Sequence, residues 1–241
     1  MLNYRITEGR MDNKEKDLKK FLISKGISSN LFDEYNNKCI KDAYIEPTVI
    51  EERNVGSMVS VSVFSRLLMD KIIFLGTEIN DDVANIIVAQ LLWLEQQTDS
   101  DITLYINSPG GSVISGYSII DVCDFIKNDV STVITGMAAS MAAVISSNGT
   151  KGKRFALPHA KFMIHQPRMS FGNNPMVASD ITIEAEEINK TKEELYKTLS
   201  LNSNFCIDEI RTLSERDKWY NMQEAVKYGF VDEIISNKKA K

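Results

Sequence analysis

From Val130 to Thr150 the chain reads "VSTVITGMAASMAAVISSNGT", without one charged side chain. A run of this kind either crosses a bilayer or lies inside a protein core. It is rich in Ser, Thr and Gly and contains Asn148, residues that insert poorly into hydrocarbon. The reading adopted is a buried strand, "VSTVITGM", followed by a buried helix, "SMAAVISSNG". Such a pair needs further strands and helices to cover it.

The flanking sequence supplies them. "KIIFLG" and "DITLYINS" have the short apolar pattern of buried strands. "NDDVANIIVAQLLWLEQQ" has a helical period, with Asn80 as N-cap and Asp81 and Asp82 at its positive end. Val83, Ile87, Leu91 and Leu94 mark one apolar face, and Ile86 and Trp93 widen it, so this helix is expected to be mostly buried. "SVISGYSIIDVCDFIKN" reads as another helix, and "KRFALPHAKFMIHQP" as further strand material. Strands alternating with helices predict an α/β fold with a parallel sheet. Ahead of it, Val59, Val61 and Val63 alternate as in a strand. Residues 1–44 are polar and read as an N-terminal extension or propeptide, with one short helix in "LKKFLISKGI" ended by Gly26. Residues 45–241 form the main domain. After Pro167, "RMSFGNNPMVASD" reads as a loop or hairpin-like arm. A long charged helix follows from about Ser179 to Leu199. Ile181, Ile188 and Leu195 recur along it, and Glu186–Lys190 and Glu193–Lys197 are spaced as i,i+4 pairs.

Composition excludes several classes. The 241 residues are 43% hydrophobic and 25% charged, with net charge −5. No dense Lys/Arg run lies inside the domain, so a nucleic-acid interface is not expected. Cys39, Cys123 and Cys206 are odd in number and far apart, which suits a reducing compartment rather than a disulfide framework. With two histidines and no H-E-x-x-H, no catalytic metal is expected. "NGTKGKRF" lacks the spacing of a phosphate-binding loop, so the chain is not expected to use ATP itself. The start of the chain has no secretory signal pattern.

A serine hydroxyl needs a base to activate it, and the base needs an orienter. Ser140 falls where the uncharged strand hands over to its helix. The helix start points at it, the Met141 N–H is free, and Ala138, Ala139, Ala142 and Ala143 leave room for a substrate backbone. Alone, a serine in such a run is more often a packing residue. The base must be His159 or His165. His165 leaves a strand in "FMIHQP", whereas His159 follows Pro158 in a turn, so chemistry modestly favours His165. Among many acids, Asp217 in "SERDKWY" precedes an aromatic pair able to bury it. In "NSPGG", Gly110 and Gly111 follow a strand, where glycine lets a backbone N–H approach a substrate.

Taken together, "YINSPGGSVISG", "TGMAASMAAV", "KGKRFALPHAKFMIHQP" and "SERDKWYNMQEAVKYGFVDEII" resemble the proteolytic subunits of the Clp protease family. The resemblance runs from about Ile45 to Ile235. It implies the ClpP/crotonase-like fold of repeated β-β-α units, with a protruding handle helix and strand. It implies a serine endopeptidase with Ser140 as nucleophile, His165 as base, Asp217 as acid, and Gly111 and Met141 as oxyanion donors. It further implies a homo-oligomer of two stacked heptameric rings that cleaves unfolded polypeptides. An AAA+ unfoldase would feed it and use the ATP, leaving this chain without a cofactor. The setting would be the cytoplasm or an organelle of bacterial origin. Tyr105 and Phe125 match positions of the unfoldase-docking cleft, and Arg216 resembles an arginine that pairs across rings.

The chain departs from the family pattern in places. The arm after "HQP" is longer and carries Pro175, which removes a backbone donor. Thr103 stands where an aromatic often lines the docking cleft, and Met137 where glutamine is frequent. Two other readings follow: a non-catalytic scaffold subunit of a mixed ring, and a crotonase-type acyl-CoA enzyme. The filled triad positions argue against both.

Overall fold

The computed structural model describes residues 48–54, 57–169 and 177–236. The expected N-terminal extension, its helix ending at Gly26, the boundary at residues 44 and 45, Cys39 and most of the arm after Met169, Pro175 included, lie outside the described residues. An antiparallel hairpin comes first: β1 (Thr48–Asn54) pairs with β2 (Ser57–Ser62), with an irregularity between Glu52 and Asn54. Val59 and Val61 fall in β2, whereas Val63 already begins helix α1 (Val63–Met69).

The main unit is built on a sheet whose central strand is the uncharged run. In the path β3 (Ile72–Leu75), β4 (Ile102–Ser108), β5 (Val130–Ala139), β6 (Arg154–Ala156), β9 (Glu233–Ile234), every neighbouring pair is parallel. Strand β5 is long enough to take two partners along one edge. Thr132 to Ile134 pair with β6, and Met137 to Ala139 pair with β7 (Lys161–Ile164). The sheet therefore forks, and β8 (Lys218–Tyr220) adds to β7 antiparallel.

The fork coincides with a bulge. Between β4 and β5 the register passes from Ile106↔Ile134 to Ser108↔Ala138. The Met137 N–H, freed by this slip, donates to Asn107 Oδ1 at 3.1 Å. A Cβ on Gly136 would lie 2.3 Å from that same oxygen, so the side-chain patch requires glycine there.

Helices α2 (Asp81–Gln97), α3 (Val113–Phe125) and α4 (Met141–Ser147) follow β3, β4 and β5 in turn. Asn80 caps α2 by accepting from the Val83 N–H at 2.9 Å. Its buried stripe is Ala84, Ile87, Leu91 and Leu94. Ile86 and Trp93 are instead exposed, at 58% and 44%. One face reaches the core, and Ile86 and Trp93 on the flank do not join it, so the expectation that this helix is mostly buried is wrong. Every residue of α4 is buried, and the uncharged run is thus β5 plus α4 within one continuous core. No helix among the described residues is long and apolar enough to cross a membrane.

The long helix α5 (Ala178–Leu201) buries only Leu195, Tyr196 and Leu199, near its end. Ile181 is exposed, and the two expected i,i+4 pairs do not form. Lys190 pairs with Glu187, and Glu193 with Arg211 of α6 (Ile207–Leu213). Helix α7 (Met222–Lys227) is closed by a reciprocal cap between Asn221 and Glu224.

Candidate active site

Three neighbouring strands end side by side. The register Ala139↔Met163 places Ser140, one residue past β5, beside Ile164, and the Ser140 N–H donates to Met163 O at 2.9 Å. The pairing Ile164↔Lys218 then brings Asp217, just before β8, alongside His165, just after β7. Two further bonds tie those loops together: Gln166 donates from its backbone N–H to Ser214 O at 2.6 Å, and from Nε2 to Glu215 O at 2.9 Å.

The side chains meet in a line. Ser140 Oγ lies 2.8 Å from His165 Nε2, and His165 Nδ1 lies 3.1 Å from Asp217 Oδ1. With a carboxylate facing Nδ1, the consistent tautomer carries its proton there, and Nε2 accepts from the hydroxyl. Ser140 sits in the left-handed region, φ 56° and ψ −126°, which is uncommon outside glycine. A serine at a helix start usually accepts a bond from that helix. Ser140 makes no such bond, and its hydroxyl is turned to the imidazole.

Glycines bring the "NSPGG" turn against this corner. A Cβ on Gly110 would lie 2.6 Å from Ala139 O and 2.7 Å from Ser140 Cβ. Ile79 brackets Gly111 by accepting from the Ser112 N–H and donating to Gly110 O, so the Gly111 N–H faces away from Ile79. Gly111, Ser140, Met141 and His165 all line one cleft of about 380 Å3. Among the described residues no backbone bond takes the Gly111 or Met141 N–H. The cleft wall is mainly apolar, from Val113, Met141, Val144, Ile164, Leu195 and Leu199.

Asp217 is not covered by the aromatic residues that follow it. Its side chain is 44% exposed, and Trp219 is 51% exposed. Strand β8 is three residues long at the edge of the sheet, so its ends remain open to water. What holds the carboxylate is Arg168, whose Nη2 donates to the same Oδ1 that His165 contacts. Partial burial pushes Asp217 up, but the Arg168 bond and charge, with those of His165, outweigh it and hold the carboxyl below its ordinary value. Sequence reasoning missed Arg168. Its only signal was a cation directly after "HQP", at the point where the arm departs from the family pattern.

His159 lies exposed in a turn. Burial, with Asp124 beside it, pushes the Cys123 thiol up to about 12, which leaves it unreactive where it packs against the core. Tyr105 stacks on Phe74 at 5.4 Å, and Phe64 meets Phe74 edge-on. Phe125 is 76% exposed and outside that aromatic group. Arg216 is exposed and forms no ion pair among the described residues.

A family profile described as Clp protease matches residues 55–238. The chain belongs to the Clp protease family. Its α/β fold and parallel sheet are those expected of a Clp protease. Curated relatives agree, and each bears the name ATP-dependent Clp protease proteolytic subunit. The protein of Porphyromonas gingivalis is 47% identical over 215 residues, which cover 89% of this chain and 94% of that one. That of Bacteroides fragilis is 50% identical over 196 residues, covering 81% and 93%. That of Lactococcus lactis is 46% identical over 199 residues, covering 82% and 99%.

Proposed function

We propose that this chain is a serine endopeptidase, the proteolytic subunit of a Clp-type complex. Ser140 Oγ attacks the scissile carbonyl carbon while its proton passes to His165 Nε2. The carbonyl electrons move onto oxygen, where the Gly111 and Met141 N–H groups receive the charge. As the C–N bond breaks, the imidazolium returns the proton to the leaving amine. Water then repeats the sequence on the acyl-enzyme and frees Ser140. Asp217 keeps the imidazole in its accepting tautomer and stabilises it when charged. The observation that carries this reading is the unbroken Ser140–His165–Asp217 line at three adjacent strand ends. The apolar cleft wall suits an apolar side chain next to the cleaved bond.

The family supports the wider setting. Two stacked heptameric rings would enclose the sites, and an AAA+ unfoldase would spend ATP to deliver unfolded chains. This subunit then needs no cofactor of its own and works in the cytoplasm or an organelle of bacterial origin. The Phe64–Phe74–Tyr105 group and Phe125 are the candidate docking residues, and Arg216 the candidate contact between rings. Ser140→Ala tests the chemistry. Hydrolysis of a short peptide and of an unfolded protein should fall about a millionfold, with the sedimentation of the assembly unchanged. Undiminished turnover in that variant would contradict the mechanism.

A further inference from the structure

Asp217 is held by few contacts for a residue in its position. A carboxylate 44% open to water keeps rotamer freedom unless something fixes it. Among the described residues two groups reach it, both from the stretch just after β7: His165 through Nδ1, and Arg168 through Nη2. Both bonds end on Oδ1. The neighbouring charges Glu215, Arg216 and Lys218 are exposed and form no ion pair with it among the described residues.

We propose that Arg168 is a positioning residue for the catalytic line, fixing the Asp217 carboxylate and offsetting part of its charge. This rests on the catalytic reading above. A guanidinium donates in a rigid planar fork, so it orients a carboxylate as well as attracting it. Its charge acts on the imidazole as well. A carboxylate shared with Arg168 stabilises a protonated His165 less than a free one does. Arg168 therefore offsets part of the pull that Asp217 exerts on a proton carried by the imidazole. The same side chain lines the cleft that holds Ser140. A bound peptide shields that cleft from water, so the ion pair gains strength when the reaction needs it.

The test uses the assembled protein, comparing the parent, Arg168→Gln and Arg168→Lys. The readouts are kcat and KM for a short fluorogenic peptide across pH, and Ser140 labelling by a fluorophosphonate. Arg168 is 69% exposed, so neither substitution touches the core. Arg168→Gln should lower kcat about three- to fivefold, the range expected for an exposed ion pair, with KM nearly constant. Its acid limb of kcat/KM should move to higher pH. Arg168→Lys should restore the acid limb but only part of kcat. Parental kcat and acid limb in Arg168→Gln would overturn the role, and so would a loss confined to KM. A parent that neither labels nor cleaves overturns the catalytic reading itself, and the role of Arg168 with it.

Discussion

Around Ser140 the neighbours are backbone and small buried side chains: Ala138, Ala139, Ala142 and Ala143, the Met163 carbonyl and the Gly110 turn. Around Asp217 they are two side chains, His165 and Arg168, at a half-exposed edge. The Ser140 corner follows from strand register and steric fit, and only a change in the backbone can move it. The Asp217 corner depends on contacts that a side-chain substitution can remove. The Ser140–His165–Asp217 line thus joins a rigid end to an adjustable one.

The imidazole bridges the two ends, so its loss should be greatest. His165→Ala should lower kcat about a millionfold, as far as removing Ser140 itself. Asp217→Asn should cost less, about ten-thousandfold, because the Ser140 hydroxyl and the Gly111 and Met141 N–H groups remain in place. Peptide hydrolysis under single-turnover conditions measures both. Equal losses would mean that the acid is as integral as the base, and the contrast between the ends would disappear.

Gly110→Ala attacks the rigid end without touching a reacting group. The glycine has φ 93°, and the new Cβ would lie 2.9 Å from Met141 N as well as against Ser140 Cβ. Backbone must shift, and a displacement of about 1 Å costs roughly a hundredfold in rate. Comparable loss of fluorophosphonate labelling would locate the damage at Ser140. Normal labelling would show that the corner gives more than the geometry implies.

The smallest expected effect on rate comes from a clamp away from the site. Arg154 is 3% exposed and donates from Nε and Nη2 to Asp232, and from Nη1 to the carbonyls of Ser147 and Asn202. It thereby joins the ends of α4 and α5 to the loop before β9. Burial pushes Asp232 up, but the bonds and charge of Arg154, with the Gly152 N–H, hold it below its ordinary value near 3.8. A lowered folded value stabilises the protein above the ordinary one and is lost as pH falls through the folded one. Asp232→Asn should cost about 3 kcal/mol near neutral pH, since a buried guanidinium loses its partner. The gap to the parent should narrow in acid, with peptide kcat little changed. Denaturant midpoints at neutral and acidic pH measure it, and a gap that does not vary with pH would contradict the assignment.

The rigid end was largely legible in the sequence. An uncharged run, a glycine before small residues and a serine at the changeover predict β5, α4 and the corner between them. Periodicity located α2, yet it overstated the burial of Ile86 and Trp93, because a pattern shows a face but not how far the sheet reaches. The fork in the sheet was not legible. It depends on Asn107 meeting the Met137 N–H across two strands, and no local pattern encodes that contact. Of the two partners of Asp217, Arg168 was hidden for the same reason. Arg168 stands 49 residues away in sequence, and only the β7–β8 pairing brings the two together. Glu193 likewise found Arg211 on another helix in place of the Lys197 suggested by its own.

On the function proposed above, His165 activates Ser140 through the 2.8 Å contact. The most direct test of this is fluorophosphonate labelling of the assembled protein, read by mass spectrometry of its peptides. One adduct is expected, on Ser140, formed rapidly by the parent and nearly absent in His165→Ala. Assembled protein that stays unlabelled, or labels equally fast without His165, would contradict it.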